Sequence, residues 1–194
     1  MGNISDFIKR KQIQIVNLSF YTFSNKEDCK RRFKFIFDNP NTLFILGAGN
    51  DGLRNPYLCP QSIVTELPNI IVVSGSKNAR LHSSSNYGSN YADVAAPYET
   101  IEFGTGTSIS SPMVANVAAK IFSLDPMLTP STVKEIILKT VMVDFNYPLE
   151  VRSKGVLSSK NALIVAETLI QRRKADPTVT VEIIIKELEL LEEI

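Results

Sequence analysis

Four short apolar runs set the strongest constraint on how this chain can fold: Ile13 to Leu18, Leu43 to Leu46, Ile70 to Val73 and Ala92 to Ala96. They are rich in β-branched residues, and none alternates cleanly between polar and apolar positions. A strand with one wet face alternates, so runs of this kind are expected to be covered on both faces, as in a parallel sheet. Between the first two runs, Ser24 and Glu27 form a capping-box pattern, after which Cys29, Phe33, Ile36 and Phe37 fall on one helical face. Asn39-Pro40 ends that helix. Strand, helix, strand in this order is a βαβ unit with a right-handed crossover. The expected fold is α/β, a parallel β-sheet flanked by helices.

The second half reads as helical. From Ser108 to Leu124 the residues Val114, Val117, Ala118, Ile121 and Phe122 recur at helical spacing, with Pro112 tolerated in the first turn. Thr129-Pro130 is an N-cap followed by proline, opening a helix that buries Val133, Ile136 and Ile137. A third helix is expected after Ser158, burying Ala162, Leu163, Ala166 and Leu169. Asp176-Pro177 then breaks the chain, and the last segment carries Val181, Ile184, Ile185, Leu188 and Leu191 on one stripe with acidic residues opposite. Such a tail either docks on its own domain or recruits a partner helix.

Composition narrows the function classes. A chain of 194 residues, 44% apolar and 21% charged, buries a real core and is not disordered. The 21 basic and 20 acidic residues leave a net charge of +1, so no strong field draws the chain to nucleic acid or an acidic membrane. The basic stretch Lys30-Arg31-Arg32-Lys34 reads as the solvated face of the first helix. No run approaches the length of a membrane span. The start, MGNISDFIKRKQIQIV, has no unbroken apolar stretch of a secretory signal, and Asp6 spoils the myristoylation pattern begun by Gly2. Read from Met1, the chain is expected to be soluble and cytoplasmic. Cys29 and Cys59 are too few and too far apart to suggest a disulfide scaffold or a CxxC metal site. There is one histidine, His82.

Two glycine-rich turns carry the chemistry. Gly47-Ala48-Gly49-Asn50-Asp51-Gly52 follows an apolar run and satisfies GxGxxG. A dinucleotide site also needs a helix opening at the last glycine and an acidic residue about twenty positions on. Leu53-Arg54-Asn55-Pro56 and Pro60 are poor helix sequence, and Glu66 precedes the next strand, so dinucleotide binding is a remote alternative. The second turn, Gly104-Thr105-Gly106-Thr107-Ser108, runs straight into a helix. A serine there is either an N-cap or a nucleophile beside backbone N–H groups that favour negative charge. The hydrolase elbow GxSxG fails at its last glycine, and no histidine follows.

The run from Gly106 to Ala115, GTSISSPMVA, resembles the nucleophile motif of subtilisin-like serine proteases, the subtilase family. Other landmarks of that family arrive in order. Ile15-Val16-Asn17-Leu18-Ser19-Phe20 resembles its substrate-lining strand, and the segment ending in Asn50 resembles the one bearing its oxyanion asparagine. Cys59-Pro60, Ser85-Asn86-Tyr87-Gly88, Asp93-Val94-Ala95-Ala96-Pro97, Leu128-Thr129-Pro130 and Gly155-Val156-Leu157 continue the pattern, from about Ile13 to Ile170. The resemblance implies a truncated subtilisin-like fold over residues 1–171, followed by a helical extension at 172–194. It implies peptide-bond hydrolysis through an acyl-enzyme on Ser108, with Asn50 donating to the oxyanion and no organic cofactor. Ser19 and Phe20 would line an extended peptide or protein substrate, and Gly47, Ala48 and Gly49 would wall the first specificity pocket. No calcium loop or other metal site is recognisable. Tyr21, Tyr98, Met113 and Asn116 depart from the family pattern, which has glycine, glycine, histidine and glycine there.

In this family the catalytic aspartate and histidine precede the strand matched from Ile13, where this chain has a dozen residues. Both are therefore expected to be missing, and His82 lies in a stretch not used for catalysis. Removing a subtilisin's histidine costs about a million-fold in turnover, so the chain alone is expected to be nearly inert. The strand from Ile13 to Leu18 would be left as an open edge, inviting self-association or a complementing chain. A split gene product, a non-catalytic peptide-binding module and a partner-completed enzyme all fit these expectations.

Overall fold

The apolar runs fail to alternate because each strand feeds two cores. In the computed structural model, which describes residues 4–100, 102 and 104–192, a helix α1 (Ile4–Arg10) leads into β1 (Ile15–Leu18). Helices α2 (Lys26–Arg32) and α3 (Lys34–Phe37) precede β2 (Leu43–Gly47), and α4 (Gln61–Val64) precedes β3 (Ile70–Lys77). The strands β4 (Arg80–Leu81), β5 (Val94–Pro97), β6 (Glu99–Thr100) and β7 (Gly104–Thr105) follow. The chain ends in α5 (Thr107–Leu124), α6 (Pro130–Lys139), α7 (Ser159–Ala175) and α8 (Val181–Glu192).

Strands β1, β2, β3 and β5 are parallel neighbours, as expected, while β4 turns back antiparallel on β3 and β6 pairs with β7 apart from the main sheet. Leu43, Ile45, Ile71, Val73, Val94 and Ala96 point to the core under α5 to α8. Phe44, Leu46, Ile70 and Val72 point to the opposite core, with Ile8, Cys29, Ile36 and Val64 of the N-terminal helices. At about 25 cal/mol per Å2 of apolar surface, burial on both faces makes these strands a substantial source of stability.

Several local expectations change. Helix α2 is capped by Asn25, whose side chain accepts from Asp28 N, and not by Ser24, which bonds the Asp28 carboxylate. That helix breaks at Phe33, which separates α2 from α3. The fourth run becomes a strand only at Val94. Ser108 is not an N-cap: α5 starts one residue earlier, capped by Gly106. Cys29 and Cys59 form a disulfide, contrary to the sequence expectation. The loop after β1 brings them together, since Thr22 and Cys59 exchange backbone hydrogen bonds at 2.9 and 3.0 Å beneath α2. Lys30, Arg31, Arg32 and Lys34 are solvated as expected. The tail docks on its own domain: Val181 and Ile184 of α8 are buried in the core shared with α7, which runs unbroken through residues 171 and 172. Gly2 and the Leu191 side chain lie outside what the structure describes.

Among the described residues, β1 pairs with β2 on one side only. Leu43 N donates to Gln14 O, so in the parallel register residues 14, 16 and 18 face β2 and residues 15 and 17 face outward.

Candidate active site

The ends of β1 and β2 and the start of α5 meet at one point because their backbones interlock. Gly47 closes β2, and a β-carbon there would lie 3.1 Å from the Thr107 carbonyl oxygen, so the glycine permits the approach. Gly49 N donates to Thr107 Oγ1 at 3.0 Å. Gly106 caps α5 at φ 132°, a backbone setting that favours glycine, and its N–H donates to Tyr98 O at 2.8 Å.

This framework presents Ser108, the second residue of α5, to solvent. Its N–H lies in the first helical turn, at the positive end of the helix dipole. The hydroxyl donates to Ser19 O at 3.3 Å. Ser19 is held from two sides: its own hydroxyl lies 3.0 Å from Ser111 Oγ and accepts from Asn17 Nδ2 at 2.8 Å.

Asn50 is oriented by what its carbonyl accepts. Oδ1 takes Thr107 N at 2.8 Å, Thr107 Oγ1 at 3.1 Å and the Tyr98 hydroxyl at 3.3 Å. The amide nitrogen lies 3.5 Å from where a β-carbon on Gly106, the residue that caps α5, would sit. Asn50 Nδ2 and Ser108 N–H are the two donors suited to a developing oxyanion.

No imidazole or carboxylate hydrogen-bonds Ser108 Oγ among the described residues, and a backbone carbonyl cannot take up its proton. His82 stacks on the Tyr98 ring, centroids 4.0 Å apart and nearly parallel, and its Nδ1 accepts from Ser84 N. Beside Ser108 an open hollow of about 760 Å3 runs along α5, lined by Thr100, Glu102, Ile109, Pro112, Met113 and Asn116.

The sequence-predicted residues Ser108, Asn50, Ser19, Gly47 and Gly49 thus converge. Phe20 is half exposed next to them, while Gly47, Ala48 and Gly49 are all buried. Sequence reasoning gave no role to Thr107, although it stands inside the motif, nor to Gln61, whose Nε2 donates to Gly47 O and Phe20 O. Tyr98 stood out as a departure, and only the fold shows that it reaches Asn50.

The model of the subtilase family matches residues 1–164. The chain belongs to the subtilase family. Solved structures bear out the fold. The patellamide maturation protease PatA is 21% identical with a TM-score of 0.64, over 84% of this chain and 66% of that one. For the prenylagaramide maturation protease PagA the values are 23%, 0.64, 82% and 64%. For the A-subunit of the AB5 toxin from E. coli they are 19%, 0.66, 79% and 60%. This subtilase chain therefore spans somewhat less than two thirds of the length of these structures. No curated protein matches it.

Proposed function

We propose that this chain is the serine-bearing part of a subtilisin-like endopeptidase domain, with Ser108 as nucleophile and Asn50 as oxyanion donor. The observation that carries the reading is the pairing of an exposed Ser108 at the start of α5 with an Asn50 whose carbonyl is saturated and whose amide nitrogen lies near that start. Ser108 Oγ attacks the carbonyl carbon of a peptide bond, and its proton passes to a base. The negative oxygen that forms is held by Asn50 Nδ2 and Ser108 N–H. The amine leaves with the proton, and water then releases the acyl group from Ser108. Ser19 and Phe20 lie where an extended peptide can pair, and no organic cofactor enters the scheme.

The base is supplied by polypeptide outside these residues. Support comes from the one-sided pairing of β1 among the described residues and from the hollow along α5, which opens beside Ser108. A complementing chain that adds a strand to β1 would cover both; a second copy of this chain is the competing occupant.

The test is intact mass after incubation with a fluorophosphonate, with Ser108→Ala as control. The chain alone is expected to label at background, as a hydroxyl without a base should. Adding a polypeptide that carries the base should bring a single adduct, lost in Ser108→Ala. Labelling at a residue other than Ser108 in that complex would overturn the assignment.

A further inference from the structure

Two backbone walls flank the space beside Ser108: Ser19, Phe20 and Tyr21 after β1, and Gly47, Ala48 and Gly49 at the end of β2. Under the function proposed above, on which this inference rests, the substrate side chain before the scissile bond would enter between them. In this chain the space is closed at both ends.

At the inner end stands Gln61, fully buried. Its Nε2 donates to Gly47 O at 2.7 Å and to Phe20 O at 3.2 Å, so a single amide ties the two walls together. At the outer end stands Tyr21. Its hydroxyl donates to the two carboxylate oxygens of Asp51 at 3.0 and 2.9 Å, which spans from the first wall to a point two residues beyond the second. Its ring edge, Cε1, lies 3.0 Å from the position a β-carbon would take on Gly49, with Leu58 Cδ1 at 3.2 Å from the same point. Gly49 has φ 98°, so the wall keeps this shape only with glycine.

Asp51 is a fixed anchor. Its Oδ2 accepts from Asn86 Nδ2 at 3.1 Å, and its own N–H donates to Asn86 Oδ1 at 3.1 Å. Burial, reinforced by Asp51, pushes the Tyr21 phenol above its ordinary pKa, so it remains a donor at neutral pH. The second wall itself is fixed from behind: Ala48 is fully buried, its N–H donates to Val73 O, and its carbonyl accepts from Asn86 Nδ2 at 3.0 Å and the Tyr91 hydroxyl at 2.7 Å, so it is Tyr21 that meets this wall on its other side, at Gly49.

We infer that Tyr21, latched to Asp51, fills the first specificity pocket and restricts the residue before the scissile bond to glycine or a side chain close to it in size. A larger side chain can enter only if the phenol leaves Asp51.

The experiment uses the full chain and p-cresol, the side chain of tyrosine as a free molecule, followed by NMR or thermal shift. Tyr21→Gly should bind p-cresol, and toluene more weakly because it lacks the hydroxyl for Asp51, while the parent chain binds neither. Binding by the parent, or none by a folded Tyr21→Gly, would overturn the closure. In a second arm, short peptides differing only in a terminal Gly or Phe amide are titrated. The parent should favour Gly by about tenfold, and Tyr21→Gly should lose that preference. Asp51→Ala keeps the ring but frees it, and should raise Phe-peptide affinity about threefold even where Tyr21→Gly does not fold; no change would overturn the latch. If p-cresol enters Tyr21→Gly but no peptide binds any of these chains, closure by Tyr21 stands. The peptide-site reading, and the restriction built on it, then fall.

Discussion

The Tyr98 hydroxyl lies 3.3 Å from Asn50 Oδ1, although the two residues are separated by most of the sheet in sequence. The ring that carries it is buried, stacked on His82 on one side and pressed so close to Gly75 that a β-carbon there would collide with it. Ser84 supplies a hydrogen bond to the same phenol. The hydroxyl is therefore held in place and not merely nearby. Tyr98→Phe should keep the stack while removing one of the donors to Asn50. A loss of about 1 kcal/mol in urea unfolding is expected, with faster solvent exchange of the Asn50 side-chain amide in NMR spectra. An unchanged amide signal would mean that Thr107 alone orients Asn50.

A buried charge cluster ties β5 to the helical layer. Asp93 accepts from Val72 N at 2.8 Å, and Lys134 and Arg152 stand 3.4 and 3.2 Å from its other oxygen. Burial raises the Asp93 carboxyl above the ordinary carboxylate range and depresses Lys134. Lys134→Met removes a countercharge and should cost about 3–5 kcal/mol at neutral pH, because an ionised carboxylate is left under-compensated. It also raises the folded-state pKa of Asp93 further above its unfolded value. Stability tied to a raised carboxyl pKa is present below the unfolded pKa and lost as pH rises through the folded one. The penalty of Lys134→Met should therefore shrink as pH falls from neutral, because Asp93 in the folded variant takes up its proton above the ordinary carboxylate pKa. Urea midpoints at neutral and acid pH check this, and a pH-independent penalty would contradict it.

How much was legible in the sequence follows from what each feature depends on. The parallel sheet and the helices after Ser108 were readable, because β-branched runs and helical spacing are local patterns. Strand limits were less so. β3 runs on to Lys77 through Ser74, Gly75 and Ser76, which look like loop residues. Their polar groups are satisfied from a distant segment: Ser74 Oγ donates to Asn86 O, and Gly75 N to Ser85 Oγ. The fourth strand starts only at Val94, after Asp93, whose carboxylate turns into the core toward Lys134 and Arg152. At the candidate site, Ser108 and Asn50 stand in recognisable motifs of the sequence. Tyr98, Gln61 and Asp51 act through contacts between segments far apart in sequence, which no local pattern encodes.

The Cys29–Cys59 bond is the clearest such case. Its partners are 30 residues apart and both fully or almost fully buried. Closing a loop of that size restrains the unfolded chain by about 3–4 kcal/mol. Cys29→Ala with Cys59→Ala should lower stability by roughly that amount, or somewhat less if the denatured chain keeps structure. Because Thr22 is bridged to Cys59, the double variant should also loosen the Tyr21 segment, seen as faster amide exchange from Tyr21 to Phe23. Thiol titration of the unfolded parent, with and without reductant, checks that the bond is present.

The outward edge of β1 carries the last prediction. Ile15 and Asn17 turn their backbone groups away from β2, next to a helix α5 whose Pro112 and Asn116 are exposed. An edge of this kind, with no charged side chain or proline in the strand to blunt it, pairs readily with another strand. Light scattering should show mass rising with concentration for the chain alone. Asn17→Pro removes an N–H that faces the free edge and places a ring there, so it should suppress the rise. Asn17→Ala loses the side-chain bond to Ser19 but keeps the N–H, and should not. A chain that stays monomeric throughout would show that the edge is not the association surface. The complementing polypeptide would then have to be sought through the exposed side of α5.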